Sequence, residues 1–117
     1  MEIKVDDMTI GYQTIISFSN LRDYNNSHVS TFKKMATQDG SSYVIIYQWV
    51  DSMSKTYYDR EEAFYIDNIN ENNREEATRI FNEVFEELQK AFMEDSNQVY
   101  DLTNFINSVV SEKNKTR

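Results

Sequence analysis

An apolar stripe in the second half of the chain constrains the fold more than any other feature of the sequence. Its members recur at steps of three and four residues, which is the spacing of one face of an α-helix. Asn73 precedes the stripe and Glu76 follows three residues later, the spacing of an N-cap and its box-like partner. The pattern predicts a helix over residues 74–94 whose apolar face packs on another layer. The stripe consists of Ala77, Ile80, Phe81, Val84, Phe85, Leu88, Ala91 and Phe92.

A second helical pattern follows the first. Asp95 and Gln98 have the spacing of another capping pair. Apolar residues then recur at helical spacing, so the sequence predicts a second helix over residues 97–112. These apolar residues are Val99, Leu102, Phe105 or Ile106, and Val109.

The first half of the chain has the period of two that is typical of strands. Alternation over residues 8–19 predicts a first strand. Asp39-Gly40 is a type I′ turn signal because both residues tolerate positive φ, so residues 29–38 and 41–50 are expected to form a hairpin. A turn centred there makes the numbers of paired residues sum to 79 and creates one aromatic core face. The expected pairs on that face are Ser30 with Trp49, Phe32 with Tyr47, and Ala36 with Tyr43.

Residues 43–50 are apolar on both faces of the predicted strand except at Gln48. Two interpretations fit this pattern, a central strand covered on both sides and a sheet that dimerises. A further strand is expected within residues 56–66. Residues 59–62 interrupt its apolar pattern, so a bulge, a sheet edge and a short helical turn remain open there.

Strands followed by helices predict an α+β fold. We expect an antiparallel meander sheet of about four strands between residues 8 and 66, followed by two C-terminal helices packed on one face. The 117 residues suffice for one hydrophobic core, so the chain is interpreted as a single domain spanning residues 1–117. The first residues lack the pattern of a signal peptide and no apolar run approaches a membrane span, which predicts a cytoplasmic protein without membrane association.

Acidic residues are concentrated in one part of the chain. The net charge is −8, and residues 59–101 carry thirteen acidic against four basic side chains, whereas residues 1–58 have a balance of −1. A surface of this sign repels phosphate backbones and attracts basic proteins. The sequence therefore predicts no direct binding of nucleic acid and a protein partner with a basic surface. A charged helix face that only keeps the protein soluble is the alternative interpretation of the same charges.

Recognisable catalytic and cofactor motifs are missing from the sequence. There is no cysteine to act as nucleophile or metal ligand, and the two glycines cannot form a P-loop or a dinucleotide-binding loop. The one histidine, His28, stands beside a predicted loop, and no G-x-S-x-G motif accompanies it. We therefore expect no enzyme activity, no cofactor and no metal site. Two weaker alternatives are a Mg²⁺ site formed by Asp59, Glu61 or Glu62, and a hydrolase that uses Glu61 or Glu62.

These exclusions favour binding over catalysis. The first hypothesis is a small acidic interaction protein that inhibits or neutralises a partner protein. Asn, Lys, Ile and Tyr are abundant, as in proteins encoded by AT-rich genomes, which predicts an origin in a low-GC bacterium or a phage. The second is an oligomeric small-molecule or nucleotide binder, with a homodimer through the sheet, which the two-sided apolar strand and the eight tyrosines favour. The expected partner-binding residues are Tyr57, Tyr58, Asp59, Glu61 and Glu62 on the last strand, and Glu83 and Glu87 on the first helix.

Overall fold

The computed structural model describes residues 1–17, 27–51, 57–94 and 99–115, with their side chains except those of residues 16, 17, 27–32, 48–51, 57–60, 92, 94, 99, 100 and 111–115. Strands and helices account for most of these residues. The strands are β1 (Glu2–Val5), β2 (Met8–Tyr12), β3 (Ile15–Ser17), β4 (Ser27–Ala36), β5 (Tyr43–Asp51), β6 (Tyr57–Asp67) and β7 (Val99–Asp101). The helices are α1 (Arg74–Glu94) and α2 (Thr103–Lys115).

The main sheet has five antiparallel strands in the order β1-β2-β6-β5-β4. Strands β4, β5 and β6 form a meander, and β6 then pairs with β2, so the β1–β2 hairpin extends the sheet on that side. A separate two-stranded sheet joins β3 to β7. The antiparallel sheet followed by two C-terminal helices confirms the predicted α+β fold.

The core lies between the helices and one face of the main sheet. The Phe81 ring on α1 packs against Tyr43 and Phe64 of the sheet, with centroid distances of 5.1 and 6.4 Å. Burial of such a side chain stabilises the fold by roughly 1.5–3 kcal/mol relative to exposure. The apolar stripe of α1 is thus confirmed as a core face, although the Phe92 side chain lies outside the described residues. The fully buried residues with the largest side chains are Tyr47, Phe64, Met8, Ile10, Ile45, Ile66, Ile80, Leu88, Ile106 and Val84.

The β4–β5 hairpin has the predicted register from Thr31 to Ala36, in which the paired residue numbers sum to 79. The predicted pair of Ser30 with Trp49 is wrong, because a bulge after Val29 shifts the register and Val29 itself pairs with Trp49. Side-chain burial of Trp49, which was expected in the core, falls outside the described residues.

The type I′ turn lies elsewhere than predicted. At Asp39-Gly40 only the glycine has a positive φ, of 74°, whereas a type I′ turn requires two such residues. The predicted turn type at this hairpin is therefore wrong, although the hairpin exists. Asp6 and Asp7 have φ values of 47° and 69° and connect β1 directly to β2, so the type I′ conformation occurs there. No glycine marks that turn in the sequence.

The first predicted strand, over residues 8–19, is divided into two. Strand β2 pairs with β6 in the main sheet, whereas β3 pairs with β7 in the small sheet. The chain leaves the main sheet at Gln13 and Thr14, and the Thr14 carbonyl accepts a 2.8 Å hydrogen bond from the Leu102 N–H. The apolar alternation of residues 8–19 is therefore uniform in the sequence, although the chain passes from the main sheet to the small sheet within it.

The second helix starts later than predicted. Residues 97–112 were expected to be helical, but Val99–Asp101 form β7 and the helix spans Thr103–Lys115. Val99 has helical spacing with Leu102 only by coincidence, because its backbone pairs with Ser17. The Asp101 carboxylate accepts a 2.9 Å hydrogen bond from the Thr103 N–H, which lowers the pKa of Asp101. The expected capping pair, at positions 95 and 98, lies outside the described residues.

Asn73 directly precedes α1 as predicted, but it does not form a capping box. Its buried side chain accepts a 2.8 Å hydrogen bond from the Asn70 N–H and donates to the carbonyls of Asp6 and Asn68 at 3.1 and 3.3 Å. Glu76, the expected box partner, instead forms an ion pair further along the helix. Asn73 thus connects the start of α1 to the β1–β2 turn and to the end of β6.

Candidate functional site

A buried tyrosine hydroxyl holds an exposed carboxylate at one end of the sheet. Tyr47 lies in β5 with 1% of its surface exposed. Its hydroxyl donates a 2.5 Å hydrogen bond to Oε2 of Glu61, the residue that pairs with it on β6. Gln13 donates from Nε2 to the same hydroxyl oxygen at 2.9 Å. Because Glu61 is itself exposed, its carboxylate is anchored to the core while facing solvent.

A bulge in β6 and the end of β2 bring these side chains together. Strand β6 contains a bulge in which Ala63 is an extra residue between two positions paired with β5. Strand β2 ends beside this bulge, where the Gln13 N–H donates to the Ala63 carbonyl at 3.1 Å. The Gln13 side-chain amide also donates to the Glu62 carbonyl at 2.9 Å. Residues 59–62 lie in β6, so the short helical turn is wrong. The register of β6 with β5 shifts at Ala63 and again between Arg60 and Tyr57, and β2 pairs only with Phe64–Asp67, so the bulge and the sheet edge both occur in this part of β6.

The electrostatics of Tyr47 make it a hydrogen-bond donor. Burial raises the pKa of Tyr47 above its ordinary value, and the hydrogen bond to Glu61 raises it further, whereas the bond from Gln13 lowers it. The phenol therefore stays protonated at neutral pH. A protonated phenol is a poor nucleophile but a stable donor, so Tyr47 positions Glu61 rather than reacting.

A second tyrosine stands on the sheet face opposite the helices. The Tyr65 ring lies directly over Gly11, where an added Cβ would collide with the ring atoms. The Tyr65 hydroxyl donates a hydrogen bond to the Glu2 carboxylate, and this bond raises the pKa of Tyr65 to about 12. Tyr65, Glu2 and Glu62 line part of a pocket of about 210 Å³ between β1, β2 and β6.

The predicted site residues of β6 fall into two groups. Tyr57, Tyr58 and Asp59 belong to the strand, but their side chains lie outside the described residues. Glu61 and Glu62 are both exposed, and as consecutive strand residues they point to opposite faces of the sheet. Glu61 contacts Tyr47 on the helix-bearing face, whereas Glu62 lines the pocket on the other face.

The predicted site residues of α1 are separate from those of β6 in the fold. Glu83 forms a 3.0 Å ion pair with Arg79, which also pairs with Glu76. Arg79 additionally donates to the Val109 carbonyl of α2 at 3.0 Å, so Glu83 helps to hold the two helices together. Glu87 is exposed. The charge of Glu83 is thus partly neutralised within the fold.

The sequence did not indicate Gln13 as a member of this site. Tyr47 was expected in the core, which the structure confirms, but its contact with Glu61 depends on the β6 bulge. Local spacing does not reveal such a bulge, because it follows from the pairing of β6 with both neighbours. A detectable signal for Gln13 was its polar side chain directly after the buried β2.

Neither metal ligands nor a membrane span emerge from the described parts of the chain. There, no three histidine, cysteine, aspartate or glutamate side chains are grouped so that they could hold a metal ion. Neither α1 nor α2, within their described residues, is long and apolar enough to cross a membrane. Comparison of the chain with protein-family models, curated proteins and solved structures gives no significant match in any of the three.

Proposed function

We propose that this protein is a non-enzymatic binding module that recognises a basic surface of a partner protein through the bulged segment of β6. The observation that carries the proposal is the anchoring of the exposed Glu61 carboxylate by the buried Tyr47 hydroxyl at 2.5 Å. A glutamate on a protein surface ordinarily loses rotamer freedom when a partner immobilises it, at a cost of up to about 2 kcal/mol. Glu61 is already held, so that cost is reduced before the partner arrives.

The charge of the sequence segment that contains Glu61 supports the choice of partner. Residues 59–101 carry thirteen acidic and four basic side chains. A field of this sign accelerates encounter with a basic protein and opposes approach of a nucleic acid. Inhibition or neutralisation of that partner is the consequence we expect if the site covers its basic functional surface.

Catalysis by the two glutamates receives less support from the same geometry. An acid and a base that act on one bond must flank it in one cleft. Glu61 and Glu62 instead face opposite sides of the sheet. The pocket lined by Glu62 gives the small-molecule alternative little support, because its volume of about 210 Å³ is below the roughly 300–1,000 Å³ of typical ligand sites. A homodimer through the sheet remains a prediction that native mass by light scattering would test.

Affinity capture with matched charge variants tests the proposal. The wild-type protein and its Glu61→Gln and Glu87→Gln variants, immobilised at equal density, are exposed to a cell lysate in low and moderate salt. Glu61→Gln and Glu87→Gln remove the same charge, but only the former removes the anchored carboxylate. We expect Glu61→Gln to abolish retention of a basic protein that wild type and Glu87→Gln both retain, with weaker retention at moderate salt.

The anchor itself is tested by Tyr47→Phe, which keeps every charge but releases Glu61. We expect this variant to bind the captured protein several-fold more weakly, since about 0.8 kcal/mol corresponds to a factor of roughly four. Equal retention by wild type and Glu61→Gln at both salt concentrations would contradict the assignment of the site. Loss of retention in Glu87→Gln alone would instead assign the binding surface to α1.

A further inference from the structure

Strand β4 forms one edge of the five-stranded sheet. It is ten residues long and pairs with β5 on one side. On its other side, no strand of the described residues pairs with it. The side chains from Lys33 to Ala36 are exposed, so this part of the edge is open to solvent.

The hairpin register identifies the backbone groups that this edge presents. The Thr37 N–H donates a 3.0 Å hydrogen bond to the Ser42 carbonyl and therefore points toward the β5 side. In an antiparallel ladder the backbone N–H and C=O groups of successive residues point alternately toward and away from the paired strand. The N–H and C=O groups of Phe32, Lys34 and Ala36 consequently point away from β5. A row of such groups is a template for an additional strand.

The side chains at this edge are basic, in contrast to the molecule as a whole. Lys33 and Lys34 are consecutive strand residues and so point to opposite faces. The Lys34 Nζ lies 4.9 Å from the centroid of the Phe85 ring on α1, which places it on the helix-bearing face. A strand added here would thus have a lysine beside it on each face.

We propose that the β4 edge binds an extended acidic segment of another protein as an added strand. Backbone hydrogen bonds would supply the affinity, and carboxylates opposite Lys33 and Lys34 would supply the selectivity. This surface is separate from the Glu61 site and does not depend on the function proposed for it.

A second copy of the chain is a less suitable occupant of the same edge. Pairing of two β4 strands would bring the lysines of both copies close together, and like charges across strands are destabilising. The lysines therefore oppose self-association while leaving the edge accessible to a strand of opposite charge.

Fluorescence anisotropy with two short labelled peptides tests the proposal. In one peptide pairs of consecutive glutamates alternate with pairs of threonines, so that an added strand carries carboxylates on both faces, and in the other lysine replaces each glutamate. We expect the acidic peptide to bind wild type and the basic peptide not to bind this edge. Lys33→Glu should weaken binding of the acidic peptide by about tenfold or more, whereas the exposed Lys90→Glu on α1, an equal change in charge, should have less than about a threefold effect.

Amide hydrogen exchange provides the structural readout. The acidic peptide should protect the amides of Lys34 and Ala36, whose N–H groups point outward. Lys34→Pro removes one of these donors without removing a bond to β5, and it should abolish binding while circular dichroism stays unchanged. If that variant unfolds, the Lys33→Glu variant and the exchange data in wild type still test the proposal.

Three outcomes would overturn the proposal. The first is equal binding of the acidic peptide by Lys33→Glu and Lys90→Glu. The second is binding without protection of the Lys34 and Ala36 amides. The third is a dimer in light scattering that protects those amides in the absence of peptide. Glu61→Gln should leave peptide binding unchanged, so failure at β4 is distinguishable from failure of the Glu61 site.

Discussion

At the scale of single residues, the chain uses tyrosines to hold carboxylates in place. Tyr47 holds Glu61 from inside the core, and Tyr65 holds Glu2 on the opposite sheet face. The two phenols differ in burial, since Tyr47 is 1% exposed and Tyr65 is only partly buried. Removing the hydroxyl should therefore cost more stability at the first position, whereas the hydrogen bond at the second position is best detected in the titration of the tyrosine.

The Tyr47→Phe variant should lower the free energy of unfolding by about 1–2 kcal/mol, because a buried hydrogen bond to a charged group is lost. Tyr43→Phe is the matched control, since its hydroxyl makes an exposed 3.3 Å contact with Thr78. That control should stay within about 0.5 kcal/mol of wild type. Urea denaturation followed by fluorescence gives both values. Equal losses of unfolding free energy in the two variants would show that the Tyr47–Glu61 contact does not stabilise the fold.

The Tyr65 hydroxyl should titrate unusually late. Its hydrogen bond to the Glu2 carboxylate raises the pKa of Tyr65 from 10 to about 12 in the folded state. Between these two pH values the unfolded chain loses this proton while the folded chain keeps it, so stability falls as the pH rises. Below about pH 10 this contribution to stability is fully present.

Ultraviolet absorbance of the phenolate checks this prediction. The difference between titrations of wild type and Tyr65→Phe should have a midpoint near pH 12, measured while circular dichroism reports a folded protein. Tyr43→Phe provides the contrast, because the Thr78 hydroxyl and Arg74 lower the pKa of Tyr43. Difference curves that coincide for the two variants would refute the effect of Glu2.

At the scale of secondary structure elements, buried Asn73 joins three separate parts of the chain. Its side chain bonds to the backbone of Asn70, Asp6 and Asn68. We expect Asn73→Ala to lower the free energy of unfolding by about 2–3 kcal/mol, since it removes three hydrogen bonds of a buried side chain. Asn72→Ala, at the neighbouring exposed position, should change it by less than about 0.5 kcal/mol. A urea titration that ranks the two variants equally would contradict this role.

Elements that depend on local pattern were predictable from the sequence. The α1 helix runs from Arg74 to Glu94 as its apolar stripe indicates, and the β4–β5 register follows from the Asp39-Gly40 loop. Elements that depend on distant pairing were not. Val99 fits a helix by spacing, yet it belongs to β7 because its partner is eighty-two positions earlier, at Ser17.

The candidate site was predictable only in part for the same reason. Exposed Glu61 and Glu62 follow from the charge pattern. The hydrogen bonds from Tyr47 to the Glu61 carboxylate and from Gln13 to the Glu62 carbonyl require the β6 bulge and the end of β2. Both of these features arise from contacts between strands. The position of the Tyr65 ring over Gly11 on a neighbouring strand likewise cannot be predicted from the sequence of either strand alone.

At the scale of the whole molecule, the net charge of −8 should make stability depend on salt. Arg79 offsets Glu76 and Glu83, whereas Glu86 and Glu87 are exposed on the same helix. Repulsion between such carboxylates opposes the compact state and is screened by salt. Raising NaCl from about 0.02 to 0.3 M should therefore raise the free energy of unfolding by roughly 0.5–1 kcal/mol.

Urea is the appropriate denaturant for this measurement because it is uncharged. A variant with both Glu86→Gln and Glu87→Gln should show a smaller response to NaCl than wild type. If stability instead decreases as salt is added, attractive ion pairs would outweigh the repulsion between carboxylates.

The pairing of β2 with β6 also determines when the N-terminal part of the chain can complete its structure. Met8–Tyr12 has to wait for Tyr57–Asp67 to be synthesised, and Ile15–Ser17 has to wait for Val99–Asp101. At the usual rates of translation this delay is on the order of seconds. Strand β2 is thus without β6 during this delay, while its pairing with β1 can already form.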